Sequence, residues 1–157
     1  MLSESFKPFF DWCGATWLGT TVRDTVWAFP LIETFHLLAL AVLLGTVLIV
    51  NLRVFGLGRR YYASAGQIAR ELEPWMLTSV GVLIASGIPM FLSETDKCYE
   101  SVSFPIKIML IVIGIVYQIT VQRRWIVRDD GKAKIAACFS ILVWTTVGLA
   151  GKGIPYV

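Results

Sequence analysis

Histidine and charge are scarce in this chain. It carries one histidine and three cysteines in 157 residues. So few nitrogen and sulfur ligands severely limit the metal chemistry of one copy. A hydrolase is not expected, because along the sequence Ser79 and Ser86 lie on another helix from the one histidine, with no evident base placed to activate them. Charged residues make up 16% and hydrophobic residues 56%, against about 25% and about 45–50% in soluble domains. So few polar residues cannot cover the surface of a soluble fold. That excludes a cytosolic enzyme, a disordered protein and a nucleic-acid binder. Internal repeats and low-complexity tracts are also lacking. The net charge is +3, from 14 Lys and Arg against 11 Asp and Glu, so where the charges sit matters more than their sum.

What the chain does have is long apolar runs, and its mean hydropathy is +0.69. A helix needs about 20 residues to cross about 30 Å of hydrocarbon. Four runs approach that length, at about 26–50, 75–92, 104–121 and 135–150, the last of them short but uncharged. They are too continuous for the alternating pattern of a barrel strand. The expected fold is therefore all-α: an integral membrane four-helix bundle forming one domain over residues 1–157. Residues 1–24 lack the basic start and unbroken apolar core of a signal peptide. There Phe6, Phe9, Phe10, Trp12, Trp17 and Leu18 alternate with polar residues, which suits the headgroup layer. This stretch is predicted to be an interfacial amphipathic helix, with Pro30 letting the first span bend. The longest connector, 51–74, is predicted to carry a short amphipathic helix from Ser64 to Glu73.

Basic residues set the orientation. Arg53, Arg59, Arg60 and Arg70 lie between spans one and two. Arg123, Arg124, Arg128, Lys132 and Lys134 lie between spans three and four. The positive-inside rule puts both loops in the cytoplasm. Both termini and the loop 93–103 then face outside, and anionic lipid is the natural partner of the basic loops.

Two ionisable groups stay deep in the first span. A carboxylate there costs about 2.5–3.5 kcal/mol on insertion scales, so Glu33 needs a reason. His36 follows three residues later on the same helix face. Helical spacing extends the stripe through Leu40, Leu44 and Val47 to Asn51, and such a stripe should face the bundle interior or another subunit. Several roles are open. His36 could ligate the iron of haem b, with Glu33 fixing its tautomer. The pair could carry protons or ions. It could instead be a mutually hydrogen-bonded pair that only fixes packing. A di-iron site needs two E-x-x-H motifs and two further carboxylates, and this chain has one motif.

A second axial ligand to haem would be a Met, the partner subunit's His36, or nothing. Met90 on span two and Met109 on span three lie near the depth of His36, although Met also fills gaps at helix interfaces. Met76, Ser79, Leu83, Ser86 and Met90 share one face of span two, where the small residues allow close helix approach. Lys107 can snorkel to the outer surface or meet a haem propionate. Cys13 and Cys98 fall on the outer side, where disulfides persist, and a bridge between them is expected. Cys138 reads as a small apolar packing residue.

The run Trp27 to His36, then Gly45, then Asn51-Leu52-Arg53 with Gly56, resembles an uncharacterised family of small four-helix bacterial inner-membrane proteins. Their pattern is aromatic-Pro-x-x-Glu-x-x-His followed by a Gly and Asp-Leu-Arg. Asn51 stands where the family usually has Asp. Where members often carry a His late in span three, this chain reads Tyr117 to Gln122. The resemblance implies a multi-pass protein of the bacterial inner membrane and carries no settled activity. The plan is also similar to four-helix b-type cytochromes, by architecture alone. Three functions follow as expectations. The first is haem b binding through His36 for electron transfer or redox sensing, with a redox partner. The second is a proton or ion path, and the third a non-catalytic scaffold. In each the bilayer is the surroundings and a homo-oligomer is expected.

Overall fold

The computed structural model describes residues 4–57, 64–126 and 131–153. They are helical almost throughout, and among them there is no strand. Two short helices, α1 (Lys7–Gly14) and α2 (Trp17–Asp24), replace the single interfacial helix expected at the N-terminus. Thr16 makes the division. Its hydroxyl donates to the Cys13 carbonyl at 2.7 Å and accepts from the Gly19 N–H at 3.3 Å. It thus closes one helix and caps the next.

The first long helix, α3, runs Ala28–Val54. Pro30 is its third residue, where the missing N–H has no intrahelical acceptor to lose. Pro30 therefore sits in the opening turn of the span and does not bend it. The second long helix, α4, runs Ala65–Ser93 without a break at Pro74. The amphipathic piece expected at Ser64–Glu73 is the start of this helix. Ser64 caps it by accepting from the Gln67 N–H at 3.1 Å, and Gln67 donates to Glu71 at 3.1 Å. Its apolar stripe (Ala65, Ile68, Leu72) packs with Val50 and Val54, and this packing outweighs the bond that Pro74 removes.

The short α5 (Thr95–Glu100) precedes α6 (Ser103–Tyr117). A π turn at Gln118–Gln122 ends α6, followed by α7 (Arg123–Trp125) and α8 (Gly131–Gly153). Four helical segments are long and apolar enough to cross a membrane: Ala28–Val54, Ala65–Ser93, Ser103–Val121 and Gly131–Leu149. At 1.5 Å per residue, α3 measures about 40 Å, more than the hydrocarbon thickness. Leu31, Phe35 and Leu38 on α3, Ile84 and Ile88 on α4, Val112 and Val116 on α6, and Leu142 and Leu149 on α8 are all exposed. Such a belt suits lipid and would be a liability in water. The chain is a multi-pass membrane protein.

The helices form an open ring. α3 packs on α4 and α8, and α8 packs on α6, while the backbones of α4 and α6 scarcely approach each other and meet at the cap end through the stacked Phe91 and Phe104 rings. The interior has three layers. At the cap end, Phe10, Tyr99 and Cys98 pack with Phe91 and Phe104. In the middle, Leu43, Val47, Trp144 and Val147 meet side chains from α4 and α6. At the far end, Val50, Val54 and Ile68 pack with Ile126, Ala133 and Ala137. Gly114 lets α8 lie close to α6, since a Cβ there would sit 3.3 Å from the Trp144 ring. α2 lies across the cap end of α4. Gly19 permits this, because a Cβ there would come 2.5 Å from the Leu92 carbonyl oxygen.

Candidate functional site

The polar centre of the bundle lies at the cap-end half, between α3 and α4. His36 sits on the face of α3 that continues into buried Ala39, Leu43 and Val47. It is half-buried. Its Nδ1 lies 2.9 Å from Ser86 Oγ on α4. Ser86 is buried and its hydroxyl donates to the Val82 carbonyl at 2.6 Å. A hydroxyl has one proton. With that proton on the Val82 carbonyl, the shorter of its contacts, Ser86 accepts at Nδ1 in the tautomer that carries its proton there, while in the other tautomer Ser86 would donate to Nδ1. With the proton on Nδ1, Nε2 is left with a free lone pair and has no hydrogen-bond partner among the described residues. The adjoining Cε1 faces Gly87, 3.5 Å from where a Cβ would stand.

Lys107, half-buried on the first turns of α6, lies close enough for its charge to act on His36 and on Cys98. It forms no ion pair among the described residues. The site thus combines an imidazole lone pair, a fixed hydroxyl and an uncompensated cation. Met90 is half-buried on α4, one turn beyond Ser86 on the same face.

Two residues expected here lie elsewhere. Glu33 is exposed, and it makes no hydrogen bond or ion pair among the described residues. The expected Glu33–His36 pair is not formed, and the His36 ring bonds across to Ser86 instead. The stripe that is fully buried at Asn51 ends exposed at Glu33. Met109 is 57% exposed. Ser86 was visible in the sequence on the face of Met76 and Met90, but spacing alone could not show which residue it bonds.

The expected Cys13–Cys98 bridge is likewise not present: both are free, buried thiols in the cap. Burial, with Glu94 adding to it, pushes the Cys98 thiol up to about 11, and burial also raises that of Cys13. Both stay protonated at neutral pH, which slows attack on any disulfide. Cys138 is exposed on α8 instead of packing inside. Lys97 pairs with Glu94 in the same cap. No cluster of three or more metal-ligating side chains occurs among the described residues.

At the far end, Arg53 is not a loop cation. It is buried in the last turn of α3 beside fully buried Asn51, and both are engaged by partners. Arg59, Arg60 and Arg128 lie outside the described residues. Tyr117 donates to the Ala136 carbonyl at 2.9 Å, and Ser140 to Gln118 Oε1 at 3.5 Å. These bonds tie the end of α6 to α8 and give Tyr117 and Gln118 a packing role.

No curated protein and no solved structure matches the chain. The family described as a family of unknown function (DUF6644) matches residues 9–157, nearly the whole length. The chain belongs to that family.

Proposed function

We propose that this membrane protein binds haem b through His36 Nε2 and transfers or senses electrons. The observation that carries the proposal is the Val82–Ser86–His36 chain of hydrogen bonds. Ligating histidines hold their other ring nitrogen in a fixed hydrogen bond, which sets the tautomer and aims the lone pair. Ser86 does for His36 what the sequence reading assigned to Glu33. Lys107 adds a cation of the kind that would receive a propionate. The donor set offers one iron ligand per chain, His36. A second would come from Met90, from the partner subunit's His36, or from neither. When bound, the haem would supply one-electron chemistry. The chain's own residues would hold the ring nitrogen, orient it and shield it under the aromatic cap.

A proton path has less support, since Glu33 and His36 are not bonded to each other. Exposed Glu33 instead favours a homo-oligomer. A carboxylate on a lipid-facing turn costs about 2.5–3.5 kcal/mol unless covered or brought to the surface. The basic residues near the far end favour an orientation with the cap and both termini outside the bacterial inner membrane.

The test is the absorbance of protein purified from haem-replete cells. The expected result is a Soret band that is lost in His36→Ala and weakened in Ser86→Ala, with a 10–100-fold drop in haem affinity of the order found for such supporting residues. A colourless wild-type preparation would overturn the proposal.

A further inference from the structure

The open side of the ring holds a cavity that the site above does not use. It has a volume of about 300 Å³, at the lower edge of the ordinary range of about 300–1,000 Å³ for ligand pockets. It lies at the far end, away from His36. Its wall on one side is α4 from Gly66 to Leu77, and on the other the π turn at Gln118 and Ile119, with α3 at the back. Because the backbones of α4 and α6 scarcely approach each other, the cavity opens sideways between two helices whose outer faces meet lipid.

Its chemistry is divided. The interior is aliphatic and roomy, with Val47, Val50, Ala69 and Met76 among its lining residues. The donors are Gln118 and Arg70. Gln118 accepts from Ser140 through Oε1, which leaves its amide N–H groups without a partner among the described residues. Arg70 is exposed and likewise unpaired. Thr46 is spent on the Leu43 carbonyl at 2.8 Å. Glu73, the carboxylate in the lining, is already engaged by a partner. What is left to a ligand is an apolar chamber, an amide donor and a guanidinium.

We infer that this crevice is a specific site for one anionic phospholipid, with an acyl chain in the chamber and the phosphate on Arg70. Basic pockets between membrane helices select anionic headgroups, and a guanidinium matches the phosphate oxygens. The lateral opening lets the lipid enter from the bilayer without crossing water. The site is separate from the haem reading, and either can fail without the other.

The test is native mass spectrometry of the full-length protein, delipidated in detergent and titrated with dioleoyl phosphatidylglycerol or dioleoyl phosphatidylcholine. The expected result is one tightly held lipid per chain, with phosphatidylglycerol favoured about fivefold, the factor one arginine supplies at an anionic headgroup. Arg70→Gln should remove that preference. Ala69→Phe, which fills the chamber, should abolish the single tight lipid of either kind. Inorganic phosphate at millimolar concentration should not displace it. Equal binding of the two lipids by the wild type would overturn the assignment. So would a preference that survives Arg70→Gln, a tight lipid that survives Ala69→Phe, or displacement by phosphate. Arg70 is exposed, so Arg70→Gln remains decisive even if Ala69→Phe does not fold.

Discussion

Removing the Ser86 hydroxyl perturbs the feature on which the haem proposal rests. In Ser86→Ala the Nδ1–H of His36 loses its acceptor at 2.9 Å. A neutral hydrogen bond contributes about 0.5–1.5 kcal/mol net, and a buried donor left unpaired costs about 1–3 kcal/mol. His36 is half-buried, so water can reach part of the ring and the lower figures apply. The Ser86–Val82 bond is internal to α4 and is lost in Ser86→Ala whether or not His36 is present. A cycle of Ser86→Ala, His36→Ala and the double variant therefore isolates the bond between the two helices. The expected coupling is about 1 kcal/mol, read from reversible unfolding in mixed micelles. The tautomer can be read directly. With one histidine in the chain, the ¹⁵N imidazole spectrum has a single residue to assign, and its protonated nitrogen should be Nδ1. Additivity of the cycle within about 0.3 kcal/mol, together with a proton on Nε2, would refute the reasoning.

Other outcomes follow from the packing. Gly19→Ala should destabilise the cap by about 1–3 kcal/mol through overpacking, because its Cβ would meet the Leu92 carbonyl oxygen at 2.5 Å; limited proteolysis between α2 and α3 would report the release. Gly114→Leu should spread α6 from α8, where a Cβ alone reaches the Trp144 ring at 3.3 Å, and a lower unfolding midpoint with a shifted tryptophan emission is expected. Maleimide labelling of Cys98 in a variant lacking Cys13 and Cys138 should be slow at pH 8 and rise as pH approaches about 11. The sign follows from the raised pKa, since only the thiolate reacts, and rapid labelling at pH 8 would contradict it. The intact mass should be the same with and without reductant, and a two-dalton shift (roughly two hydrogens, as expected for one bridge) would show that Cys13 and Cys98 do pair.

The four spans were legible because continuous hydrophobicity over about 20 residues has few other uses. Their ends were less so. Pro74 looked like a boundary, yet Ser64 caps a helix that runs through it. A proline penalty is local, while the packing of Ala65, Ile68 and Leu72 draws on α3, which spacing within one helix does not reveal. The site shows the same division. His36 was found from its rarity and its depth. Its partner was not, because the i, i+3 rule points along one helix to Glu33, and the bond actually made crosses to Ser86, 50 residues on. Arg53 was misread as a loop charge for a related reason. Its type marked it as a surface residue, and only the fold shows α3 continuing far enough to bury it.

Arg23 carries a consequence for assembly. Its Nε donates to the Ser93 carbonyl and its Nη2 to the Gly14 carbonyl, at 3.0 and 3.1 Å. One guanidinium thus closes the C-terminal ends of both α4 and α1. Ser93 is 70 residues downstream of Arg23, and α1 also needs α5. When the first 24 residues leave the ribosome, the surface they will rest on has not been made. This segment is synthesised before the surface it rests on and must settle after it, waiting at the bilayer surface while two spans insert. Its exposed Trp12 and Trp17 are suited to that wait, holding an unfinished end in the headgroup layer until Arg23 can latch it down.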